Sequence, residues 1–259
     1  MKVVILCGGQ GTRFREETEF RPKPMVEIGD RPILWHIMKH YAHHGMKDFV
    51  LCLGYKGQVI KDFFLNYEAH VTDLTLRLGR QRAVEYHGGH AEDDWTVTLA
   101  ETGPTAQTGA RIRRGARYLE AGPFCATYGD GVSDVDLEKL VAFHRVHGKL
   151  ATVTGVRPRS RFGELNVAGN QVVSFAEKPA TDAMISGGFF VFEREFADRY
   201  LTDEDGLILE HEPLQRLAAD GQLMVYQHHG FWQSMDTYRD WKLLEDLWCS
   251  GRAPWKVWA

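Results

Sequence analysis

Gly8, Gly9 and Gly11 directly follow the apolar run "KVVILC", and within a dozen residues the chain adds a hydroxyl at Thr12, a guanidinium at Arg13 and an ammonium at Lys23. Glycines behind a strand let backbone N–H groups approach a ligand closely, and successive N–H groups form a nest for an anion. Arginine supplies a rigid fork suited to phosphate and lysine a point charge. Lys23 lies between Pro22 and Pro24, which are expected to hold its backbone extended. Together these residues outline a phosphate site. The same pattern also describes a structural glycine turn with solvated charges. Two familiar phosphate motifs fail on spacing: no Gly-Lys stands where a Walker A loop needs it, and Phe14 occupies the position a dinucleotide fingerprint reserves for a small residue. An NAD(P)-dependent oxidoreductase is disfavoured for that reason.

Such a turn needs a buried strand before it, and "KVVIL" supplies one. "PILWHIMKHYAHHG" follows with Ile33, Ile37 and Tyr41 at helical spacing, headed by Pro32 and closed by Gly45. The order then repeats. "DFVLCL", "PFCATY" and "LATVTGV" read as strands, while "GQVIKDFFLNY" and "DVDLEKLVAFHRVHG" read as helices. This alternation predicts an α/β fold, Rossmann-like, with a mainly parallel sheet flanked by helices. From about Val71 to Gly109, "LTLRL", "AVEYH" and "WTVTLAE" alternate as short strands, which predicts a small inserted β element. Without an internal repeat or linker, residues 1–259 are expected to form a single domain.

Composition narrows the possible functions. The 259 residues are 44% hydrophobic, and no run approaches the ~18 apolar residues of a membrane span, so a soluble, cytoplasmic protein is expected. The four cysteines are scattered without a C-x-x-C pair, which predicts reduced thiols and no zinc site on cysteine. A net charge of −4 gives no general attraction for nucleic acid, so an anionic ligand must be held by a local cluster of cations. His36, His40 and His44 recur at i, i+4 and i+8 on the first helix, and with no carboxylate or cysteine at matching spacing they are expected to form a solvated or interface face.

"LCGGQGTR", "RPKPM", "TYGDG" at 127–131, "EKP" at 177–179, "GGFF" at 187–190 and "MDT" at 235–237 resemble the motifs of the sugar-1-phosphate nucleotidylyltransferases, across nearly the whole chain. Within that family, "RFGELNV", "GFWQSMDT" and "GRAPWKVW" are similar to the branch that joins CTP to α-D-glucose 1-phosphate, giving CDP-glucose and pyrophosphate. The resemblance implies Mg²⁺ on Asp130 and Asp236, with Arg13 and Lys23 as further catalytic residues. It also implies nucleotide contacts from Leu6, Gly8, Gly9, Gly11, Thr12, Arg13, Thr108, Gly109, Arg111 and Gly129. Sugar-phosphate contacts would come from Lys23, Tyr128, Glu177, Lys178, Ser186, Gly187 and Gly188, and a homo-oligomer is implied, for which the aromatic tail "APWKVWA" offers apolar surface. The chemistry is consistent: two anionic substrates must be held in line while cations neutralise the spreading charge.

Read without the family, several of these residues have ordinary duties. Asp130 in "YGDG" fits a turn former, Asp236 a helix N-cap, Thr108 an N-cap of the next helix, and "EKP" a surface turn. The branch also reads Asn where this chain has Ser186. A shorter hydroxyl replaces an amide near the sugar, so weaker discrimination among hexose phosphates is expected. UTP or dTTP, another hexose 1-phosphate, and a sugar-nucleotide binder without turnover are the competing readings. A binder has no need to keep both carboxylates and both lysines.

Overall fold

β1 (Lys2–Leu6) is buried on both faces: Val3 and Ile5 point into one hydrophobic cluster and Val4 into another. A strand with this pattern has to lie inside a sheet covered on both sides. A computed structural model of the chain describes residues 1–9, 11, 14, 18–79, 83–158, 164–176 and 183–258. After β1 come a 3₁₀ turn (Lys23–Met25), the short pair β2 (Glu27–Ile28) and β3 (Arg31–Pro32), and helix α1 (Ile33–His43). β4 (Asp48–Leu53) then pairs parallel to β1. Helices α2 (Gly57–Leu65) and α3 (Tyr67–Val71) lead to the hairpin β5 (Asp73–Arg77) and β6 (Ala83–His87).

β7 (Thr96–Glu101) runs parallel to β4 over its whole length as the last strand on that side of the main sheet. The inserted β element expected over about 71–109 is therefore narrower than its sequence suggested. Among the described residues of that stretch, β5 and β6 pair with each other apart from the main sheet, while "WTVTLAE" finds a buried partner in β4.

Helix α4 (Thr108–Gly115) returns the chain to β8 (Phe124–Tyr128), which pairs parallel to β1 on the side opposite β4. The remaining elements are β9 (Gly131–Ser133), α5 (Leu137–His147), β10 (Ala151–Val156), the hairpin β11 (Glu164–Ala168) and β12 (Gln171–Ala176), β13 (Ile185–Ser186), β14 (Phe190–Phe192), α6 (Arg194–Arg199), α7 (Glu212–Ala219), β15 (Leu223–Gln227), β16 (Trp232–Ser234) and α8 (Tyr238–Cys249). β14 lies antiparallel between β8 and β10, and β15 adds parallel to β10. The eight-stranded sheet is thus parallel through β8, β1, β4 and β7 and mixed beyond β8. β1 is the strand at which the chain switches sides, and open α/β sheets form their ligand crevice at the carboxyl ends of such strands.

The histidine face and the aromatic tail both turn inward. His36 and His40 are buried, each with Nε2 at hydrogen-bond distance from a backbone carbonyl, of Ile28 (2.9 Å) and Val135 (2.8 Å) respectively. At His36 and His40 the expected solvated or interface face is instead core, since a neutral imidazole with a carbonyl partner is readily buried, while His44 is only half-buried. Trp255 of "APWKVWA" is wholly buried and stacks on Phe231 at 5.6 Å between centroids, so this part of the tail packs onto its own chain. All four cysteines are free thiols, and Cys7, Cys52 and Cys125 are buried. No helix among the described residues is long and apolar enough to cross a membrane.

Candidate active site

A cavity of about 320 Å³ opens at the carboxyl ends of β1 and β8. Leu6, Gly8, Gly9 and Gly11 form one wall, Ala106, Gln107, Thr108 and Arg111 another, and Tyr128, Gly129 and Asp130 a third. Lys23, Pro24 and Asp236 close it.

The Lys23 ammonium touches two carboxylates at once, Asp130 Oδ2 and Asp236 Oδ1, each at 2.7 Å. Those partners lie 107 and 213 positions away along the chain. The local fold explains how they meet. β9 pairs antiparallel with β16, setting Gly131 opposite Ser234, and the Met235 N–H donates to the Asp130 carbonyl at 2.8 Å. That ladder brings residue 236 beside residue 130. Helix α8 is capped by Thr237, whose hydroxyl oxygen accepts from the Asp240 N–H while the Asp240 carboxylate accepts from the Thr237 N–H. The N-cap duty offered for Asp236 thus belongs to Thr237, and the Asp236 carboxylate faces the cavity.

Lys23 itself begins a 3₁₀ turn, and only Pro22 is extended, at φ −68° and ψ 148°. The expectation of an extended Lys23 backbone gives way to a turn in which the Met25 N–H donates to the Pro22 carbonyl at 2.8 Å. Burial works against the ammonium, but the Asp130 charge and the hydrogen bonds to both carboxylates outweigh it and hold the Lys23 pKa above the ordinary lysine value. Two hard oxygen donors converging on one cation have the donor chemistry of a Mg²⁺ site completed by phosphate and water. Among the described residues no set of three or more His, Cys, Asp or Glu side chains is arranged to hold a metal.

Arg111 is 3% exposed, and its guanidinium lies beneath the glycine turn. One terminal nitrogen donates to the carbonyls of Leu53 (2.7 Å) and Gly103 (2.9 Å) and to Thr102 Oγ1 (2.8 Å), and the other to the Gly8 carbonyl (3.1 Å). A Cβ on Gly8 would meet that guanidinium at 2.2 Å, so the glycine is needed for this close approach. Arg111 lines the cavity while bracing the ends of three strands.

Thr108 is the first residue of α4 and does not cap it; Gln107 is the N-cap. The Thr108 hydroxyl donates to Glu210 Oε2 at 2.7 Å instead. Tyr128 donates its phenolic hydrogen to Glu210 Oε1, and burial together with the Glu210 charge pushes its pKa up. Gly188, at φ +74°, packs against the Tyr128 ring, where a Cβ would come within 3.0 Å. Gly187 and Ser186 adjoin it: the Trp232 indole N–H donates to the Gly187 carbonyl at 2.7 Å, and Ser186 is exposed. Gly109 packs behind the cavity wall against Leu207.

Of the sequence-derived site residues, Leu6, Gly8, Gly9, Gly11, Lys23, Thr108, Arg111, Tyr128, Gly129, Asp130 and Asp236 share this cavity. Thr12, Arg13, Glu177 and Lys178 lie outside the described residues. Glu210 escaped the sequence reading because "LILEHEP" has no motif spacing; a lone carboxylate before a helix looks like any solvated charge.

The pattern that defines the nucleotidyl transferase family matches residues 2–241. The chain is 52% identical over 260 aligned positions to the glucose-1-phosphate cytidylyltransferase of Salmonella typhimurium, covering 100% of both chains. It is 43% identical over 258 positions, again covering 100% of both, to a Bacillus subtilis protein named "Probable glucose-1-phosphate cytidylyltransferase". In fold it is similar to a UDP-glucose pyrophosphorylase crystallised with UDP-glucose, at a TM-score of 0.68 and 15% identity, covering 97% of this chain and 99% of that one. With its parallel strand ends, glycine turn and lysine-bridged carboxylates, the chain belongs to the nucleotidyl transferase family.

Proposed function

We propose that the protein transfers the cytidylyl group of CTP to α-D-glucose 1-phosphate, giving CDP-glucose and pyrophosphate. The observation that carries this reading is the convergence of Lys23, Asp130 and Asp236 beside the glycine turn, in a chain similar over its full length to glucose-1-phosphate cytidylyltransferases. A phosphate oxygen of the sugar attacks the α-phosphorus; the new O–P bond forms as the bond to the β-phosphate bridging oxygen breaks, and pyrophosphate departs with the electron pair. The chain has little covalent work to do in such a step and acts by orientation and charge.

In this reading the Gly8–Gly11 turn receives the triphosphate, and Lys23 stands where the α-phosphate and the incoming sugar phosphate meet. Asp130 and Asp236 would hold Mg²⁺, which when bound neutralises charge developing on the phosphate oxygens. Tyr128 and the Ser186–Gly188 segment flank the sugar. The resemblance assigns Arg13 to the triphosphate and Lys178, preceded by Glu177, to the sugar phosphate. A homo-oligomer belongs to the same reading, supported by Leu76, Leu78, Val84 and Tyr86, which the β5–β6 hairpin leaves exposed.

Pyrophosphate release with glucose 1-phosphate and each of CTP, UTP, dTTP, ATP and GTP tests the assignment, with CTP expected to give the highest kcat/KM. Asp130→Asn and Asp236→Asn should each lower kcat by at least about a hundredfold while the far-UV spectrum and Tm stay near wild type. A preference for another nucleotide, or full turnover in either variant, refutes the corresponding part.

A further inference from the structure

Glu210 lies in the loop before α7 and joins two walls of the cavity from behind. Its two carboxylate oxygens accept from different hydroxyls, the phenol of Tyr128 at the end of β8 and Thr108 Oγ1 at 2.7 Å at the start of α4. Thr108 Oγ1 also accepts from the Leu209 N–H at 2.9 Å, which fixes its orientation. The Tyr128 ring is held by Gly188 on one side and by an edge contact to Phe190, with centroids 6.0 Å apart, on another. Tyr128 and Thr108 both line the cavity, whereas Glu210 does not.

An ionised carboxylate accepts hydrogen bonds and donates none, and each hydroxyl has a single hydrogen. Both hydroxyl hydrogens are therefore committed to Glu210, and what the two oxygens keep for a ligand is lone pairs. We propose that Glu210 is a specificity-determining positioning residue: by taking the hydrogens of Tyr128 and Thr108 it makes this part of the cavity an acceptor surface, which favours a substrate group bearing N–H or O–H over one bearing only lone pairs. The inference rests on the reading of the substrates as CTP and glucose 1-phosphate. Each carries such a donor, the exocyclic amine of cytosine, where uracil has a carbonyl, and the hexose hydroxyls, which deoxyfluoro sugars lack.

Glu210→Gln keeps the size of the side chain but puts an N–H₂ against one hydroxyl, which then turns its hydrogen toward the ligand. Tyr128→Phe removes one acceptor and keeps the ring packing. The measurement is kcat/KM by pyrophosphate release in both variants, once with CTP against UTP and once with glucose 1-phosphate against its monodeoxyfluoro analogues. The proposal expects one of these two ratios to fall about three- to tenfold, the worth of one hydrogen bond, with the base arm or the sugar arm naming the group recognised. A purely structural role for Glu210 would lower kcat/KM with all substrates alike, so two unchanged ratios overturn the proposal. Should wild type release no pyrophosphate from CTP, the proposed reaction fails separately. Equilibrium binding of CTP, UTP, glucose 1-phosphate and its deoxyfluoro analogues to wild type and Tyr128→Phe then decides the polarity of this wall, and equal donor preference in both proteins overturns it.

Discussion

Lys23 brings one positive charge to a point faced by two carboxylates, and its ammonium stands where a divalent cation held by that pair would compete with it. Two unit charges 4 Å apart interact by about 4 kcal/mol at an effective dielectric of 20, and the side chain of Asp130 is 31% exposed, so screening leaves a part of that. Lys23→Met therefore should tighten Mn²⁺ binding to the nucleotide-free protein at least tenfold, read by electron paramagnetic resonance of free Mn²⁺, while kcat falls if, as proposed, Lys23 is the cation that meets the α-phosphate. Unchanged or weaker Mn²⁺ binding would remove Lys23 from the proposed metal site. Asp130 and Asp236 were legible as single candidate residues, through family likeness. Their mutual contact was not, since it depends on the β9–β16 ladder. Arg111 was legible as a candidate nucleotide contact and lines the cavity, but its four hydrogen bonds to carbonyls and Thr102 come from strand ends scattered along the chain.

At the scale of elements, helix α8 does two jobs at its first turn. The Asp240 carboxylate accepts from the N–H groups of Thr237 at 2.9 Å and of Asp236 at 3.2 Å, so the cap also fixes the backbone that carries the site carboxylate. Thr237→Ala removes the hydroxyl half of this capping box. The expected loss of stability is about 1 kcal/mol, or roughly 2–4 °C in Tm for a chain of this size. kcat should fall further than that small loss explains, because the Asp240 carboxylate loses the Thr237 hydroxyl that fixes it and holds the Asp236 backbone less firmly, and Thr237→Ser should restore both. Normal kcat in Thr237→Ala, with Tm lowered, would show that the cap serves the helix alone. The strand and helix order that positions this turn follows from hydrophobic periodicity, which reads β1, α1, β4, β8 and α5 correctly. Periodicity says nothing about pairing partners. "WTVTLAE" has the alternation of an exposed strand and still lies beside β4, and β14 enters antiparallel between β8 and β10 because chain direction leaves no mark in composition.

Across the whole molecule, the closing segment and helix α1 share one aromatic core, in which Trp255 stacks on Trp248 (6.3 Å) and its indole N–H approaches His36 Nδ1 at 3.4 Å. Their burial was hidden from the sequence because histidine and tryptophan are equally at home on an interface, and only the tertiary fold decides between the two. It has a consequence for stability against pH. Burial holds His36 down to about 4 and His40 to about 3, in His40 with help from the His44 charge, against an ordinary value near 6.5. Both groups are neutral in the folded chain at pH 5, while in the unfolded chain they are mostly protonated. The unfolded state thus binds more protons below about pH 6.5, and stability must fall as pH drops from there toward the folded values. The charges of His44, His43 and His228 also act to lower the His40 pKa and reinforce the trend. His40→Gln keeps a donor for the Val135 carbonyl and removes the titration. Urea unfolding at pH 7 and pH 5 should show wild type losing about 2 kcal/mol more than His40→Gln over that interval, the linkage expected for one histidine whose pKa is depressed well below 5. Equal losses in the two proteins would mean that His40 takes up its proton in the folded state near its ordinary pKa, with the Val135 carbonyl contact surviving protonation.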